Sequence, residues 1–272
     1  MDFPDCTTLL LAREDSRLTV TLNRPERRNA VNSVMSAELR AVFDALHADT
    51  GLEVRMVILR GAGGYFCAGA DIKERRDDAE DTKSGEDPVL ARNRRGGELF
   101  HKINTAPQTV VAVVEGAAMG GGLGMACVAD VTIVEKSCRL GLPETGLGIA
   151  PAQITPYVVK RIGLTQARHL ALTGARFDGA KAFEYGIAHY LCDGEAEIEA
   201  TLLAVLKNID RCGPKANAAT KRIMLTVGSM ADTEMIEYSA ETLADLMHQG
   251  EGKEGHEAFI EKRLPDWMTM GD

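Results

Sequence analysis

The sequence lacks the patterns that would assign it to several common classes of protein. Its six cysteines form no CxxC pair and no Cys/His metal spacing, so neither a zinc site nor a redox motif is predicted. There is no GxxxxGK[ST] phosphate loop and no apolar run long enough to span a membrane. Basic residues number 31 against 40 acidic ones, which argues against nucleic acid or an anionic membrane as the main partner.

What remains is the composition of an ordinary globular protein. Hydrophobic residues make up 45% and charged residues 26% of the 272 residues, enough apolar material for a substantial core. The first residues carry acidic side chains where a signal peptide would have basic ones. Unpaired cysteines fit a reducing compartment, so the sequence predicts a cytoplasmic location.

Strand-like and helix-like segments alternate through the first half of the chain. Residues 7–12 and 18–22 predict a β-hairpin, and residues 54–59 and 109–114 are apolar runs typical of buried strands. From Ser33 onward, apolar residues recur at helical spacing instead. The alternation predicts an α/β fold in which helices cover a sheet.

After residue 151 the sequence becomes mostly helical, with one strand predicted at 187–191. Helical periodicity is found in residues 154–162, 166–172, 179–185, 195–208, 214–227, 232–247 and 254–262. Leu243, Leu246 and Met247 give the end of the chain an apolar face that one subunit would leave uncovered. This helical last part is therefore expected to pack on a neighbouring chain.

Residues 74–98 are dense in charge and interrupted by Gly, Pro and Ser, and helix is predicted to resume only at residues 99–103. The favoured interpretation is a solvated, mobile loop. The alternative is a lid beside a pocket, in which Arg92, Arg94 and Arg95 face an anion.

Two loops of small residues follow buried strands. The triplet Gly120–Gly122 precedes a helix, where glycine lets a ligand approach the backbone and unpaired N–H groups favour a negative oxygen. Tight helix–strand packing is the alternative explanation of this triplet. The second loop, residues 65–74, contains Asp71 as a candidate cap for a helix beginning at Ile72. If the loops converge, their N–H groups would form an oxyanion hole.

Several motifs, in the right order and spacing, resemble those of the crotonase (enoyl-CoA hydratase/isomerase) superfamily. They are LNRP at 22–25, RNA at 28–30, FCAGAD at 66–71, GGG at 120–122, PETGLG at 143–148 and AFIEKR at 258–263. The resemblance extends over nearly the whole chain.

The resemblance implies an α/β fold built as a crotonase-like spiral of ββα units with a helical C-terminal region. It implies a core domain at residues 1–200 that binds an acyl-CoA thioester, and a helical trimerisation region at residues 201–272. Homotrimers or hexamers are expected. No metal or other cofactor is implied, because coenzyme A is part of the substrate.

The resemblance also assigns residues to the site. Ala70 and Gly121 would donate backbone N–H groups to the thioester oxygen, and Glu144 would be the acid–base residue. The remaining substrate- and CoA-binding positions are Arg28, Ala30, Ala68, Asp71, Ile72, Gly124 and, in the C-terminal tail, Phe259 and Lys262. Arg24 and Arg27 are interpreted as solvated loop charges, and Glu115 and Glu135 as solvated strand-end residues.

Gly124 departs from the pattern of the best-known hydratases, which carry a second glutamate at that position. A hydratase for branched enoyl-CoA substrates is favoured, of the isohexenylglutaconyl or methylglutaconyl type found in terpene and leucine breakdown. This choice rests on the glycine-rich stretch up to Gly124, the LPET motif and residues 151–159. An enoyl-CoA isomerase that uses Glu144 alone is the alternative. A non-catalytic relative that binds CoA or RNA is a further alternative. Glu144 argues against a non-catalytic CoA-binding protein, and the net charge of −9 argues against an RNA-binding one.

Overall fold

The computed structural model describes residues 1–72 and 85–269, and it has an α/β fold. Its strands are β1 (Leu9–Glu14), β2 (Arg17–Leu22), β3 (Met56–Gly61), β4 (Thr109–Val114), β5 (Ala117–Met119), β6 (Val131–Glu135), β7 (Arg139–Gly141), β8 (Arg176–Asp178) and β9 (Tyr190–Cys192). Its helices are α1 (Ser33–Ala48), α2 (Pro88–Thr105), α3 (Gly121–Val128), α4 (Thr155–Thr173), α5 (Gly179–Glu184), α6 (Glu195–Asp210), α7 (Pro214–Thr226), α8 (Asp232–Gln249), α9 (Glu251–Glu261) and α10 (Asp266–Thr269).

The larger sheet has the strand order β1-β2-β3-β4-β6-β9. β1 and β2 form the predicted antiparallel hairpin, and every later neighbour in this sheet is parallel. Parallel strands need a crossover that covers a face of the sheet, so both faces are buried. On one face Val57 and Val110 pack beneath α1, whereas on the other Ile58 and Val111 pack against α6.

A smaller sheet has the order β5-β7-β8, and β5 and β7 alternate along the chain with strands β4 and β6 of the larger sheet. The chain passes from β4 to β5 to α3, and then from β6 to β7 to α4. An earlier turn of the same pattern runs from β3 through Cys67, which forms an isolated parallel bridge with Ala118 in β5, and on to α2. Each turn thus has one strand in each layer and then a helix, as expected for a spiral of ββα units.

Helix α2 begins at Pro88, eleven residues before the predicted start at residue 99. The side chain of Asp87 accepts a hydrogen bond from the N–H of Val89 at 2.8 Å, and Pro88 occupies the first turn. Asp followed by Pro is a strong helix start, so the prediction of a mobile loop up to residue 98 is wrong for residues 88–98. Residues 74–84 of that prediction, like the helix expected from Ile72, lie outside the described residues.

Three other features differ from the sequence analysis. The two helices predicted between 154 and 172 are one element, α4, with a kink at Gly163, where φ is 76°. Strand β8 was missed because it has only three residues, and its pairing with β7 is not visible in its own pattern. The boundary expected at residue 200 falls inside α6, whose buried residues pack against the larger sheet.

Helices α7, α8 and α9 pack on one another at the end of the described chain. Leu243 is 61% exposed, whereas Leu246 and Met247 are half-buried. Among the described residues, no helix combines the length and the apolar character needed to cross a membrane.

Candidate active site

Three loops meet beside the smaller sheet, each in the same place in its turn of the spiral. Ala70 follows the Cys67 bridge, Gly121 follows β5, and Glu144 follows β7. These three strand segments are parallel neighbours, so their carboxyl ends lie at one edge. The fold thereby brings together three residues that are more than twenty positions apart in the sequence. Ligand sites of parallel sheets generally lie at such an edge.

The backbone around Ala70 is held by residue Val31. The N–H of Val31 donates to the carbonyl of Gly69 at 2.8 Å, and the N–H of Asp71 donates to the carbonyl of Val31 at 2.9 Å. Alternate N–H groups of an extended segment point to opposite sides, so the Ala70 N–H points away from Val31. Gly69 lies against the next loop, since a Cβ atom there would be 3.9 Å from the Gly121 nitrogen.

Gly121 is the first residue of α3, so its N–H belongs to the first turn, which has no acceptor within the helix. The preceding Gly120 has φ 51° and ψ −116°, a conformation that glycine alone adopts readily. A Cβ atom on Gly122 would be 2.4 Å from the carbonyl oxygen of Cys67. The glycine triplet therefore packs tightly and also begins a helix, so its geometry is compatible with both explanations considered from the sequence.

Glu144 opens a short 3₁₀ helix, Glu144–Leu147, directly after the smaller sheet. Its Oε1 lies over Gly120, because a Cβ atom on that glycine would be only 2.4 Å from it. The residue is half-buried and its Oε2 atom is buried. A carboxylate is thus held beside the turn that carries the Gly121 N–H, as general acid–base chemistry would require.

Gly124 faces a filled volume rather than an open one. A Cβ atom there would be 2.4 Å from Cγ2 of Ile154 and 3.0 Å from Cε1 of Phe100. Both neighbours are buried, and the ring of Phe100 also packs 6.3 Å from that of Tyr157. The best-known hydratases carry a second glutamate at this position, whereas here apolar side chains occupy the volume beside Gly124.

This contact gives a prediction about stability. Gly124→Ala would overpack the Ile154–Phe100 contact, at a cost of about 1–3 kcal/mol, and the melting temperature should fall. Gly96→Ala is the matched control, because a Cβ atom on that α2 glycine meets nothing within 4 Å. Thermal unfolding should show the control at or above the wild-type melting temperature. An unchanged melting temperature for Gly124→Ala would contradict the packing described.

The residues assigned to a CoA groove lie along the first loop. The Arg28 guanidinium lies over the Tyr65 ring, 5.5 Å from its centroid, and the Arg28 carbonyl accepts from the N–H of Ala68 at 2.9 Å. Ile72 is 55% exposed beside them. One surface is thus bordered by Arg28, Ala68 and Ile72. At its edge lie Ala30 and Asp71, which accept hydrogen bonds.

Arg24 connects two of these groove residues. It donates to the carbonyl of Ala30 at 2.6 Å and to Oδ2 of Asp71 at 3.1 Å. Its side chain is only 14% exposed. The interpretation of Arg24 as a solvated loop charge is therefore wrong, and Asp71 is an ion-pair partner at the point where it had been expected to cap a helix.

The two C-terminal residues assigned to the site lie elsewhere in the single chain. Phe259 is 85% exposed on α9, a helix that packs against α7 and α8. Lys262 ends that helix in the left-handed conformation, with φ 55°. The structure of one chain thus brings together the residues from Arg28 to Glu144 and leaves these two on a separate surface.

In the lid interpretation Arg92, Arg94 and Arg95 face an anion, and all three lie in α2. The helix row that approaches α3 and the start of α4 contains Asn93, Gly97 and Phe100, and Asn93 accepts a hydrogen bond from Gln153 at 2.6 Å. Arg94 instead forms an ion pair with Glu86 at 2.7 Å. Arg92 and Arg95 lie on the side of the helix that carries the core residue Leu99.

Other titratable groups near the loops have structural partners. Burial raises the pKa of Cys67 to about 12, so its thiol is neutral and unsuited to nucleophilic attack. Glu115 pairs with Arg60, and Glu135 accepts from the N–H of Gly116, so both are bound rather than simply solvated. In residues 1–72 and 85–269, no group of three or more His, Cys, Asp or Glu side chains is arranged to hold a metal.

A cavity also lies in a different place, away from the three loops. A cavity of about 410 Å³ lies between α1, α7 and α8, lined by His47, Lys215, Arg222 and Asp245 among others. Its walls mix both signs of charge and contain none of the three converging loops. We therefore locate the candidate site by its chemistry, at Ala70, Gly121 and Glu144.

Comparisons with known proteins agree over almost the whole chain. The model of the family described as enoyl-CoA hydratase/isomerase matches residues 13–270. The solved structure of Pseudomonas aeruginosa AtuE is 46% identical, covers 97% of this chain and 100% of its own, and has a TM-score of 0.92.

Two proteins identified by sequence are similar over comparable lengths. Enoyl-CoA hydratase EchA19 of Mycobacterium tuberculosis is 32% identical over 264 residues, 96% of each chain. Mevalonyl-coenzyme A hydratase SIDH of Beauveria bassiana is 32% identical over 261 residues, which are 92% of this chain and 90% of that protein. With the ββα spiral and the family match along its length, the chain belongs to the enoyl-CoA hydratase/isomerase family.

Proposed function

We propose that this protein is an enoyl-CoA hydratase that acts on a branched, glutaconyl-type enoyl-CoA. The observation that carries the proposal is the position of Glu144, whose carboxylate lies over Gly120 beside the first N–H of α3. The Ala70 loop borders the same point through Gly69. The arrangement offers one acid–base group and two backbone donors to a thioester.

The two N–H groups act on the thioester oxygen. When water adds to C3 of an enoyl-CoA, negative charge develops on that oxygen as an enolate forms. Ala70 and Gly121 donate to it from a backbone that is already fixed, and each donor lowers the barrier by about 2.7–4 kcal/mol. Because the donors are part of the fold, they need no reorganisation during the reaction.

Glu144 carries both proton transfers. Its carboxylate accepts a proton from the water whose oxygen bonds to C3, and the resulting carboxylic acid then gives a proton to C2 of the enolate. The net change is the addition of one water molecule, and Glu144 returns to its starting form. A single group suffices because the proton it accepts in the first step is available for the second.

The side chains beside Gly121 and Gly124 support an acyl group with an apolar branch. Phe100 and Ile154 present apolar surface beside α3, and the Asn93–Gln153 pair adds amide groups, with Asn93 about two helical turns from Phe100 along α2. Apolar walls with a few polar groups are the usual form of such pockets. The relative named mevalonyl-coenzyme A hydratase also supports this class, because a mevalonyl group is branched at C3. We favour an isohexenylglutaconyl or methylglutaconyl substrate.

A second function is favoured by one observation. Apolar side chains occupy the place of the second glutamate at Gly124, and a water molecule has no polar partner in Ile154 or Phe100. An enoyl-CoA isomerase needs no water, because Glu144 could remove a proton from C2 and return it to C4. The isomerase is therefore the alternative, with a non-catalytic acyl-CoA-binding protein as the outcome if neither reaction occurs.

Labelled water separates these functions. The purified protein would be incubated in H₂¹⁸O with a 2-enoyl-CoA and, separately, with a 3-enoyl-CoA, and the products would be analysed by mass spectrometry and by the ultraviolet absorbance of the conjugated thioester. A hydratase adds one labelled water, so the label should appear in a 3-hydroxyacyl-CoA. Conversion of the 3-enoyl-CoA to the conjugated 2-enoyl-CoA, with no label incorporated from either substrate, would replace the proposal with the isomerase. If both substrates stay unchanged but bind tightly, the non-catalytic relative is favoured.

We also propose that the chain forms a trimer or a pair of trimers through its C-terminal helices. Leu243 and Ile236 on α8 are 61% and 69% exposed, and Phe259 on α9 is 85% exposed. Burial of such side chains against a second copy is favourable, at about 25 cal/mol per Å² of apolar surface. Light scattering at micromolar concentration should give three or six times the chain mass, and a stable monomer would contradict the proposal.

A further inference from the structure

Asn29 is a polar side chain with no exposed surface, and it joins two loops of the site. Its Oδ1 accepts a hydrogen bond from the N–H of Arg24 at 2.8 Å. Its Nδ2 donates to the carbonyl of Ala62 at 2.9 Å and to the carbonyl of Tyr65 at 2.6 Å. Both hydrogens of the amide are thereby used, and one side chain connects the turn after β2 with the turn after β3.

The turn after β2 has an unusual backbone. Arg28 and Asn29 have φ values of 50° and 55°, so two successive residues with side chains adopt the left-handed conformation. Asparagine tolerates this region better than most residues. The three hydrogen bonds of the Asn29 amide hold a conformation that the chain would not otherwise favour.

The residues that follow this turn support the Ala70 loop. The N–H of Ala68 donates to the carbonyl of Arg28, while Gly69 and Asp71 are bound to Val31 on either side of Ala70. The direction of the Ala70 N–H is therefore set by residues 28–31, whose path is fixed by Asn29. On the other side, Asn29 holds Tyr65, from which the chain leads into the same loop.

We infer that Asn29 is a positioning residue for the Ala70 N–H donor. This inference rests on the proposed oxyanion hole, because it concerns how one of the two donors is aimed. A donor improves catalysis only if it points to where the oxyanion forms, and a shift of about 1 Å can cost about 100-fold in rate. Asn29 touches no reacting atom, so its effect is exerted through the backbone.

The test combines kinetics with a carbonyl spectrum. Asn29→Gly keeps a residue that adopts positive φ but removes all three side-chain hydrogen bonds. Butyryl-CoA with a ¹³C-labelled thioester carbonyl has no double bond to hydrate, so its infrared stretch can be measured in a stable complex. Wild type should lower this frequency by hydrogen bonding. In Asn29→Gly the lowering should shrink by about half, because one of two donors is misaimed, and kcat should fall about 10- to 100-fold.

A nearby asparagine provides the control for general loss of stability. The Asn32 side chain caps α1 by accepting a hydrogen bond from the N–H of Met35 at 2.9 Å, so Asn32→Ala should lower the melting temperature. It should leave the carbonyl frequency of bound butyryl-CoA as in wild type. If Asn32→Ala reduces kcat and the carbonyl shift as much as Asn29→Gly does, the positioning role is overturned.

Asn29→Asp is the second variant, in case Asn29→Gly does not fold. It keeps nearly the same shape and the acceptor for Arg24, but it replaces the donors to Ala62 and Tyr65. The same fall in kcat and the same reduced carbonyl shift are expected. If the wild-type protein lowers the carbonyl frequency and a folded Asn29 variant lowers it equally, the inference about Asn29 is wrong but the proposed oxyanion hole is retained. If wild type itself leaves the frequency unchanged, the proposed oxyanion hole fails with it.

Discussion

Glu144→Gln should lower kcat by at least about 100-fold, the lower end of what a general acid–base group contributes. Glutamine keeps the size of the side chain beside Gly120 but can neither accept the proton of water nor return it to C2. Binding of the CoA substrate should change little, so the loss should appear in kcat rather than in KM. Steady-state kinetics with the best substrate found would measure both quantities.

Glu184→Gln is the matched control for this variant. Glu184 is a surface carboxylate paired with Lys181 on α5, and it lies outside the three loops of the site. Its replacement should leave kcat and KM at their wild-type values. Near-normal activity of Glu144→Gln would mean that another group transfers the proton, and the assignment of the site would then be wrong.

Gly120→Ala should impair the reaction by displacing Glu144. The added Cβ atom would lie 2.4 Å from Oε1 of Glu144, so the carboxylate must move away from the turn. The backbone conformation, with φ 51° and ψ −116°, also strains any residue other than glycine by about 1–3 kcal/mol. We expect kcat to fall about 10- to 100-fold, since a misplaced catalytic group loses much of its effect.

A second glycine in the same region separates this effect from a general one. A Cβ atom on Gly146, in the 3₁₀ helix that begins at Glu144, meets nothing within 4 Å. Gly146→Ala should therefore retain wild-type kcat and melting temperature. If Gly120→Ala is as active as Gly146→Ala, the carboxylate does not occupy the place described, or its place does not matter.

The sequence was most informative where the local pattern is sufficient. The apolar run of β4, the glycine triplet and the hairpin of β1 and β2 each carry their signal within a few residues. Because the glycine triplet directly precedes the helical stretch of α3, the first N–H groups of that helix could be located without knowledge of distant contacts. Glu144 could be named as a candidate beforehand because it belongs to the PETGLG motif, which resembles that of the crotonase superfamily.

What the sequence could not reveal depends on contacts between distant segments. Ile154 fills the volume beside Gly124 although it lies thirty residues further along, and Phe100 reaches the same place from α2. Arg24 was interpreted as a solvated charge because its acceptors, Ala30 and Asp71, meet only in the folded chain. For α2, the Asp87–Pro88 start signal was present but was outweighed by the surrounding charge.

The most direct test of the proposed function is a comparison of substrates with the wild-type protein. The kcat/KM for 3-methylglutaconyl-CoA would be measured beside those for crotonyl-CoA and for an unbranched 3-enoyl-CoA. The proposal predicts the highest value for the branched glutaconyl substrate, with hydration as the reaction. Faster conversion of the 3-enoyl-CoA to its 2-enoyl isomer, with no hydration of the branched substrate, would contradict it.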